Sequence, residues 1–259
     1  MSRIDGFTHS KAIVRPPAEN FSDGVTEADL GMPDYQLALK QHDDYCRALQ
    51  ACGLELIKLA PDSRYPDSCF VEDAAIIVGD HAVISRLGHP TRRGEESAIA
   101  DVLAGCKALV RVEAPGTIDG GDVMAVGDHF FIGLTGRTNE AGAAQLAAVA
   151  RKCGMTSSTV PIDKWVHLKT AMSAVDSDTM LCLDGIPESS FSAVRKKVTV
   201  PQEEHWAANS LSTNGFVLVP TNCPRTAQRV QESGKKVLTV DTSEFQKMDG
   251  RLTCLSILL

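Results

Sequence analysis

Ile76-Ile77-Val78-Gly79-Asp80-His81-Ala82-Val83-Ile84 reads as a strand, a tight turn and a second strand. Both apolar runs are short and rich in β-branched residues, and Gly-Asp between them suits a two-residue hairpin. The pattern returns at Met124-Ala125-Val126-Gly127-Asp128-His129-Phe130-Phe131-Ile132, with Val-Gly-Asp-His displaced by 48 residues, from Gly79 to Gly127. Each hairpin is followed by a helix, predicted over 94–106 and 139–153, and each helix by a strand, at 109–112 and 158–161. One strand-strand-helix-strand unit is thus written twice, the signature of a repeat architecture.

Outward from this pair the order recurs in less similar sequence. Met172–Val175 and Thr179–Leu183 form a third hairpin, followed by a short helix near 189–196 and a strand at 198–200. Asn209–Ser212 and Phe216–Val219 turn through Asn214-Gly215, and a helix at 225–233 and a strand at 237–240 complete a fourth unit. Near the two ends stand strands at 11–15, 54–59 and 253–258 and a helix over 33–52, with Pro33 in its first turn and Gly53 at its C-terminal cap. Those elements make a fifth unit assembled from both termini. The expected fold is therefore α/β: a five-bladed pseudosymmetric ββαβ propeller, one domain over 1–259, its fifth unit closed by both chain termini. The competing reading is an ordinary α/β domain whose hairpins resemble one another by chance. Residues 18–32 are polar and form a loop long enough to serve as a lid.

Composition narrows the function. The chain has 259 residues, 43% apolar and 23% charged, with a net charge of -7. No basic run exceeds Arg92-Arg93 or Lys196-Lys197, which argues against a nucleic-acid partner. No apolar run approaches the ~18 residues of a membrane span. The segment 1–6 lacks the apolar core of a signal peptide, and eight scattered cysteines show neither a disulfide framework nor a Cys-x-x-Cys metal motif. A reducing, cytoplasmic setting and a small-molecule partner are expected.

In a pseudosymmetric ring, corresponding positions approach one axis. The residues just before the first strand of each unit are Asp67 to Asp73, Asp119-Gly120-Gly121-Asp122, His167-Leu168-Lys169, Glu203 to Trp206, and Asp249 to Cys254. Carboxylates, a histidine and a cysteine should therefore meet in one pocket. Taken singly, each is weak. A lone cysteine such as Cys254, placed here at the entry of the last strand, is more often a packed core thiol. His167, between Val166 and Leu168, reads equally as a core histidine, and His205 is its rival. The Asp119–Asp122 segment reads also as a plain turn whose glycines supply unusual backbone angles.

In order along the chain, Asp67-Ser-Cys-Phe-Val-Glu-Asp73, Arg92-Arg93-Gly-Glu95, Asp119-Gly-Gly-Asp122, Arg137-Thr-Asn139, His167-Leu-Lys169 and Asp249-Gly-Arg-Leu-Thr-Cys254 resemble the dimethylarginine dimethylaminohydrolase family. That family belongs to the guanidino-group-modifying (pentein) superfamily with the five-bladed ββαβ propeller. The resemblance implies Cys254 as nucleophile, His167 as general acid and base, and Asp119 as the carboxylate that orients the histidine. It implies guanidinium contacts from Glu72 and Asp73, and Asp67, Arg92 and Arg137 at the amino-acid end. Val25, where a leucine is common, and Met248 and Asp249 in the nucleophile turn complete the implied substrate contacts. The implied reaction is hydrolysis of a methylated arginine to citrulline and a methylamine, with no cofactor. An arginine deiminase-like or citrulline-hydrolysing activity shares the same triad, and a non-catalytic amino-acid binder would share the fold. No resident metal is expected, since one thiol and one imidazole do not complete a zinc site. A homodimer is left open.

Overall fold

The computed structural model describes residues 7–184, 186, 191 and 194–259. It contains five three-stranded sheets, each an antiparallel pair extended by a parallel third strand. In the first unit Ala75–Val78 pairs antiparallel with His81–Ile84, which pairs parallel with Ala108–Arg111. In the second, Val123–Val126, His129–Leu134 and Thr156–Pro161 repeat that arrangement. The third uses Met172–Ala174, Thr179–Cys182 and Lys196–Thr199. The fourth uses Leu211–Thr213, Phe216–Pro220 and Lys236–Val240. The fifth is built from both ends of the chain: Ile257–Leu258 lies antiparallel to Lys11–Val14, with Ala12 opposite Leu258, and Glu55–Lys58 runs parallel beside it.

Local chemistry explains the order. Gly79 and Gly127 open their hairpin turns at φ +57° and +59°, and Asn214-Gly215 turns with φ +51° and +79°, a left-handed region that few residues enter. A parallel third strand needs a crossover, which the helices Glu96–Leu103, Glu140–Lys152, Pro224–Glu232 and Tyr35–Ala51 provide. Asn139 caps the second of these by accepting from the Gly142 amide at 2.9 Å. Apolar side chains of sheets and helices form the core, with Tyr45, Leu49, Phe131, Leu146 and Val217 almost fully buried.

Some elements differ from the sequence reading. The helix expected over 33–52 begins at Tyr35, because Asp34 is its cap and accepts from the Leu37 amide at 3.0 Å, leaving Pro33 outside. Gly53 does end it, at φ +89°. The strand expected over 253–258 contracts to Ile257–Leu258, since Thr253–Leu255 coils into a 3-10 turn. The strand expected at 209–212 begins at Leu211, because the Asn209 side chain is engaged elsewhere. The helix expected near 189–196 falls mostly outside the described residues, and its last position, Lys196, starts a strand. Residues 1–6 also lie outside them. Among the described residues no helix is long and apolar enough to cross a membrane.

Candidate active site

A short helical turn precedes the first strand of every unit: Val71–Ala74, Gly120–Asp122, Leu168–Ala171, Gln202–Ala208 and Thr253–Leu255. These turns crowd together at one end of the ring. A Cβ on Gly120 would stand 2.0 Å from the Glu72 carbonyl oxygen, and one on Gly121 2.7 Å from His167 Nδ1. The Asp-Gly-Gly-Asp segment thus needs glycine for close approach. The unusual backbone angles expected of it are absent, since neither glycine has a positive φ.

His167 is buried and hydrogen-bonds through Nε2 to Asp119 Oδ2 at 3.1 Å, while the Gly88 amide donates to Asp119 Oδ1 at 2.8 Å. Burial disfavours the imidazolium, but Asp73, Asp122 and Asp119 outweigh it and raise His167 to about 9. Asp73 accepts from Gly121 N at 2.8 Å through Oδ1 and from Arg92 Nη1 at 2.8 Å through Oδ2. Burial opposes its ionisation, yet His167 and Arg92 hold its carboxyl well below the usual range. Arg92, itself buried, is also forked onto Glu95.

Cys254, partly buried, faces the same cavity, whose lining includes Asp73, Arg92, Arg137, His167, Met248 and Asp249. Burial first, then Glu72 and Asp73, push its thiol up to about 12. The loop after Phe21–Asp23 covers the cavity. The Val25 amide donates to Asp67 Oδ2 at 3.0 Å, the Glu27 amide to Asp249 Oδ2 at 2.6 Å, and the Thr26 hydroxyl to that same oxygen at 3.0 Å. Among the described residues, Asp67 Oδ1 is buried with no hydrogen-bond partner. Asp249 adopts a left-handed φ of +57° in making these contacts.

Most residues singled out in the sequence therefore meet: Cys254, His167, Asp73, Asp67, Arg92, Arg137, Val25, Met248 and Asp249 line one cavity, with Asp119 directly behind His167. Glu72, expected at the guanidinium, is not among the residues that line this cavity. Its carboxylate accepts from Lys169 Nζ at 2.5 Å and from the Thr253 hydroxyl at 2.7 Å, and it lines a second cavity of ≈ 230 Å³ on the ring axis. His205 is also elsewhere, its ring tilted against that of Trp206 with centroids 4.9 Å apart. Sequence reasoning missed Thr26 and Glu27, which no spacing marks, and left Asp122 of the Asp-Gly-Gly-Asp segment without a role. Ligand atoms of Asp73, Asp119 and His167 lie within 4.8 Å of one another, a spacing that could hold a metal ion. Their carboxylate oxygens already accept from Arg92, Gly121, Gly88 and His167, and Cys254 is not in the group.

The sequence profile of the family described as N,N dimethylarginine dimethylhydrolase, eukaryotic, matches residues 33–222. A dimethylarginine dimethylaminohydrolase of Pseudomonas aeruginosa is 40% identical over 247 residues, covering 95% of this chain and 97% of its own. One of Streptomyces coelicolor is 36% identical over 252 residues, 96% of each. The structure of a cysteine-to-serine variant of the Pseudomonas enzyme with citrulline superposes with a TM-score of 0.94 at 39% identity, covering 98% of this chain and 100% of that one. The N-terminal domain of a cyanobacterial arginine dihydrolase, at 18% identity and a TM-score of 0.83, shares the five-bladed pentein fold. By sequence profile, by identity along almost its whole length and by fold, the chain belongs to the dimethylarginine dimethylaminohydrolase family.

Proposed function

We propose that this protein, acting as one catalytic domain, hydrolyses Nω-methylated arginine to citrulline and a methylamine. The observation that carries the reading is the convergence of the Cys254 thiol, the His167–Asp119 pair and the Asp73 carboxylate on one lidded cavity.

The geometry suits a cationic amino acid. Asp73 offers negative charge beside Cys254, and the unpartnered Asp67 Oδ1 offers an acceptor for an ammonium. Arg137, also in the cavity lining, supplies a donor fork for a carboxylate. Arg92 sets Asp73 in place through their mutual pair and reaches substrate only at the cavity wall.

The chemistry follows from the charges. A thiol held near 12 is protonated at neutral pH, so the free enzyme lacks a nucleophile. A bound guanidinium supplies the missing positive charge, offsets Glu72 and Asp73, and lets the thiol proton leave to solvent. The thiolate of Cys254 then attacks the central guanidinium carbon, forming a C–S bond. His167, protonated because it stands near 9, gives its proton to the substituted nitrogen as the C–N bond breaks and the methylamine departs. The product of this half is an S-alkylthiouronium on Cys254. The neutral imidazole takes a proton from water as the water adds to the same carbon. The C–S bond breaks, the electron pair returns to sulfur, and citrulline is released. Asp119 fixes the imidazole orientation and steadies its cation in both halves.

All eight cysteines are free thiols, which supports a reducing, cytoplasmic workplace. A substrate panel of asymmetric dimethylarginine, monomethylarginine, arginine and citrulline tests the reading. Release of dimethylamine from the first is the expected result. Turnover confined to arginine, with ammonia as product, would reassign the chain to deiminase chemistry.

A further inference from the structure

Asp122 is fully buried and has no arginine or lysine partner among the described residues. Its Oδ1 accepts from the Leu168 amide at 2.9 Å, and its Oδ2 accepts from the hydroxyls of Thr138 at 2.6 Å and Thr135 at 2.8 Å. Three neutral donors satisfy its lone pairs but do not balance its charge. An isolated buried carboxylate is strongly disfavoured unless a cation stands near. The segment is also sterically closed: a Cβ on Gly133 would meet Leu168 Cβ at 2.8 Å and Asp122 Oδ1 at 3.0 Å.

We propose that Asp122 is a positioning residue for His167, tethering the backbone immediately after the histidine and providing a further buried negative charge, beside Asp119 and Asp73, for its imidazolium. The role deepens the proposed hydrolysis and rests on it for its kinetic readout. Other charges around His167 are committed. Asp119 is bonded to the ring, Asp73 is bound to Arg92, and Lys169 is tied to Glu72. On the packed turn Gln202–Ala208, Glu204 accepts from Arg225 and Thr226, and His205 contacts the Gln202 carbonyl. Cys254 faces the ring across the cavity as a neutral thiol. Burial raises Asp122 to about 6, and His167 is the foremost influence pulling it back down. The attraction is mutual, so the ionisation of each group bears on that of the other.

Two experiments test this. In the unaltered protein, an NMR titration of the His167 ring should show a minor inflection near pH 6, as Asp122 takes a proton, besides the main one near 9. This reads the pair without turnover, so it stands even if the proposed substrate is wrong. In Asp122→Asn the amide oxygen still accepts from Leu168 while the charge is gone. The alkaline limb of kcat/KM should then move down by about one pH unit, a roughly tenfold loss above it. Asp122→Ala loses the tether as well and should lower kcat further at every pH. A single His167 inflection, or an alkaline limb in Asp122→Asn that superimposes on that of the parent, would reduce Asp122 to a structural residue and overturn the proposal.

Discussion

The ionisation of Cys254 gives the sharpest prediction, because the free site works against it. At about 12, the thiol lies five pH units above neutrality, so roughly one molecule in 10⁵ carries a thiolate, a deficit of about 7 kcal/mol. A positive charge ~4 Å from the sulfur and the neighbouring carboxylates is worth about 4 kcal/mol at an effective dielectric of 20, about three of those five units. The perturbation is therefore the charge of an alkylating reagent. Iodoacetamide is neutral and brings no help, whereas 2-chloroacetamidine carries an amidinium. With each rate divided by that for a small free thiol, the amidinium reagent should modify Cys254 about 10³ times faster at pH 7. The iodoacetamide rate should climb about tenfold per pH unit to beyond pH 10. Modification is followed by mass spectrometry of the peptide holding Cys254. Equal normalised rates, or an iodoacetamide rate that levels off below pH 9, would refute the view that the ligand supplies the counter-charge.

Three other outcomes are expected. Cys254→Ser should bind substrate yet turn over at well under a tenth of the parental kcat, since an alcohol stays protonated without a strong base; retention of more than about a tenth, a barrier change under ~1.4 kcal/mol, removes Cys254 from the nucleophile role. Gly24→Ala should raise KM several-fold with a smaller effect on kcat, because the new Cβ would stand 2.3 Å from Asp67 Oδ1 and lift the covering loop; an unchanged KM would show that the loop does not need this close approach. His42, 2% exposed, is held down to about 4 by burial, so above pH 6.5 it is neutral folded or unfolded and carries no penalty. As pH falls from 6.5 to 4 only the unfolded chain takes the proton, and about 3 kcal/mol of stability is lost. His42→Gln should remove that part of the slope in urea midpoints between pH 7 and 4.5, and parallel slopes for parent and variant would contradict it.

Much of the ring was legible because its units are locally encoded. Gly79-Asp80, Gly127-Asp128 and Asn214-Gly215 each dictate a hairpin, and the helix Glu140–Lys152 carries its own cap in Asn139. The turn Thr253–Leu255 was less legible. Thr253 and Leu255 have strand-like neighbours, but Thr253 donates its amide to Asn209 and its hydroxyl to Glu72, and these tertiary bonds draw the backbone into a 3-10 turn. Glu72 shows the same limit. Adjacent carboxylates on a turn point in different directions, so Asp73 enters the cavity while Glu72 meets Lys169. The latch formed by Thr26, Glu27 and Asp249 joins segments more than 200 residues apart, and no periodicity marks such a contact.

The fifth sheet divides the site in an unequal way. His167 and Asp119 stand on units whose strands are near neighbours in sequence, whereas the strand that follows Cys254 is held by pairings between Ile257–Leu258 and Lys11–Val14. Those pairings close the longest loop in the molecule and bring the least local order with them. A brief parting of that clasp would bare the thiol to oxidants and strand it away from His167 while four sheets stay folded. Mechanical load applied through both chain ends would fall on the same short ladder first, so an immobilised enzyme tethered at both ends should lose activity before it loses its shape.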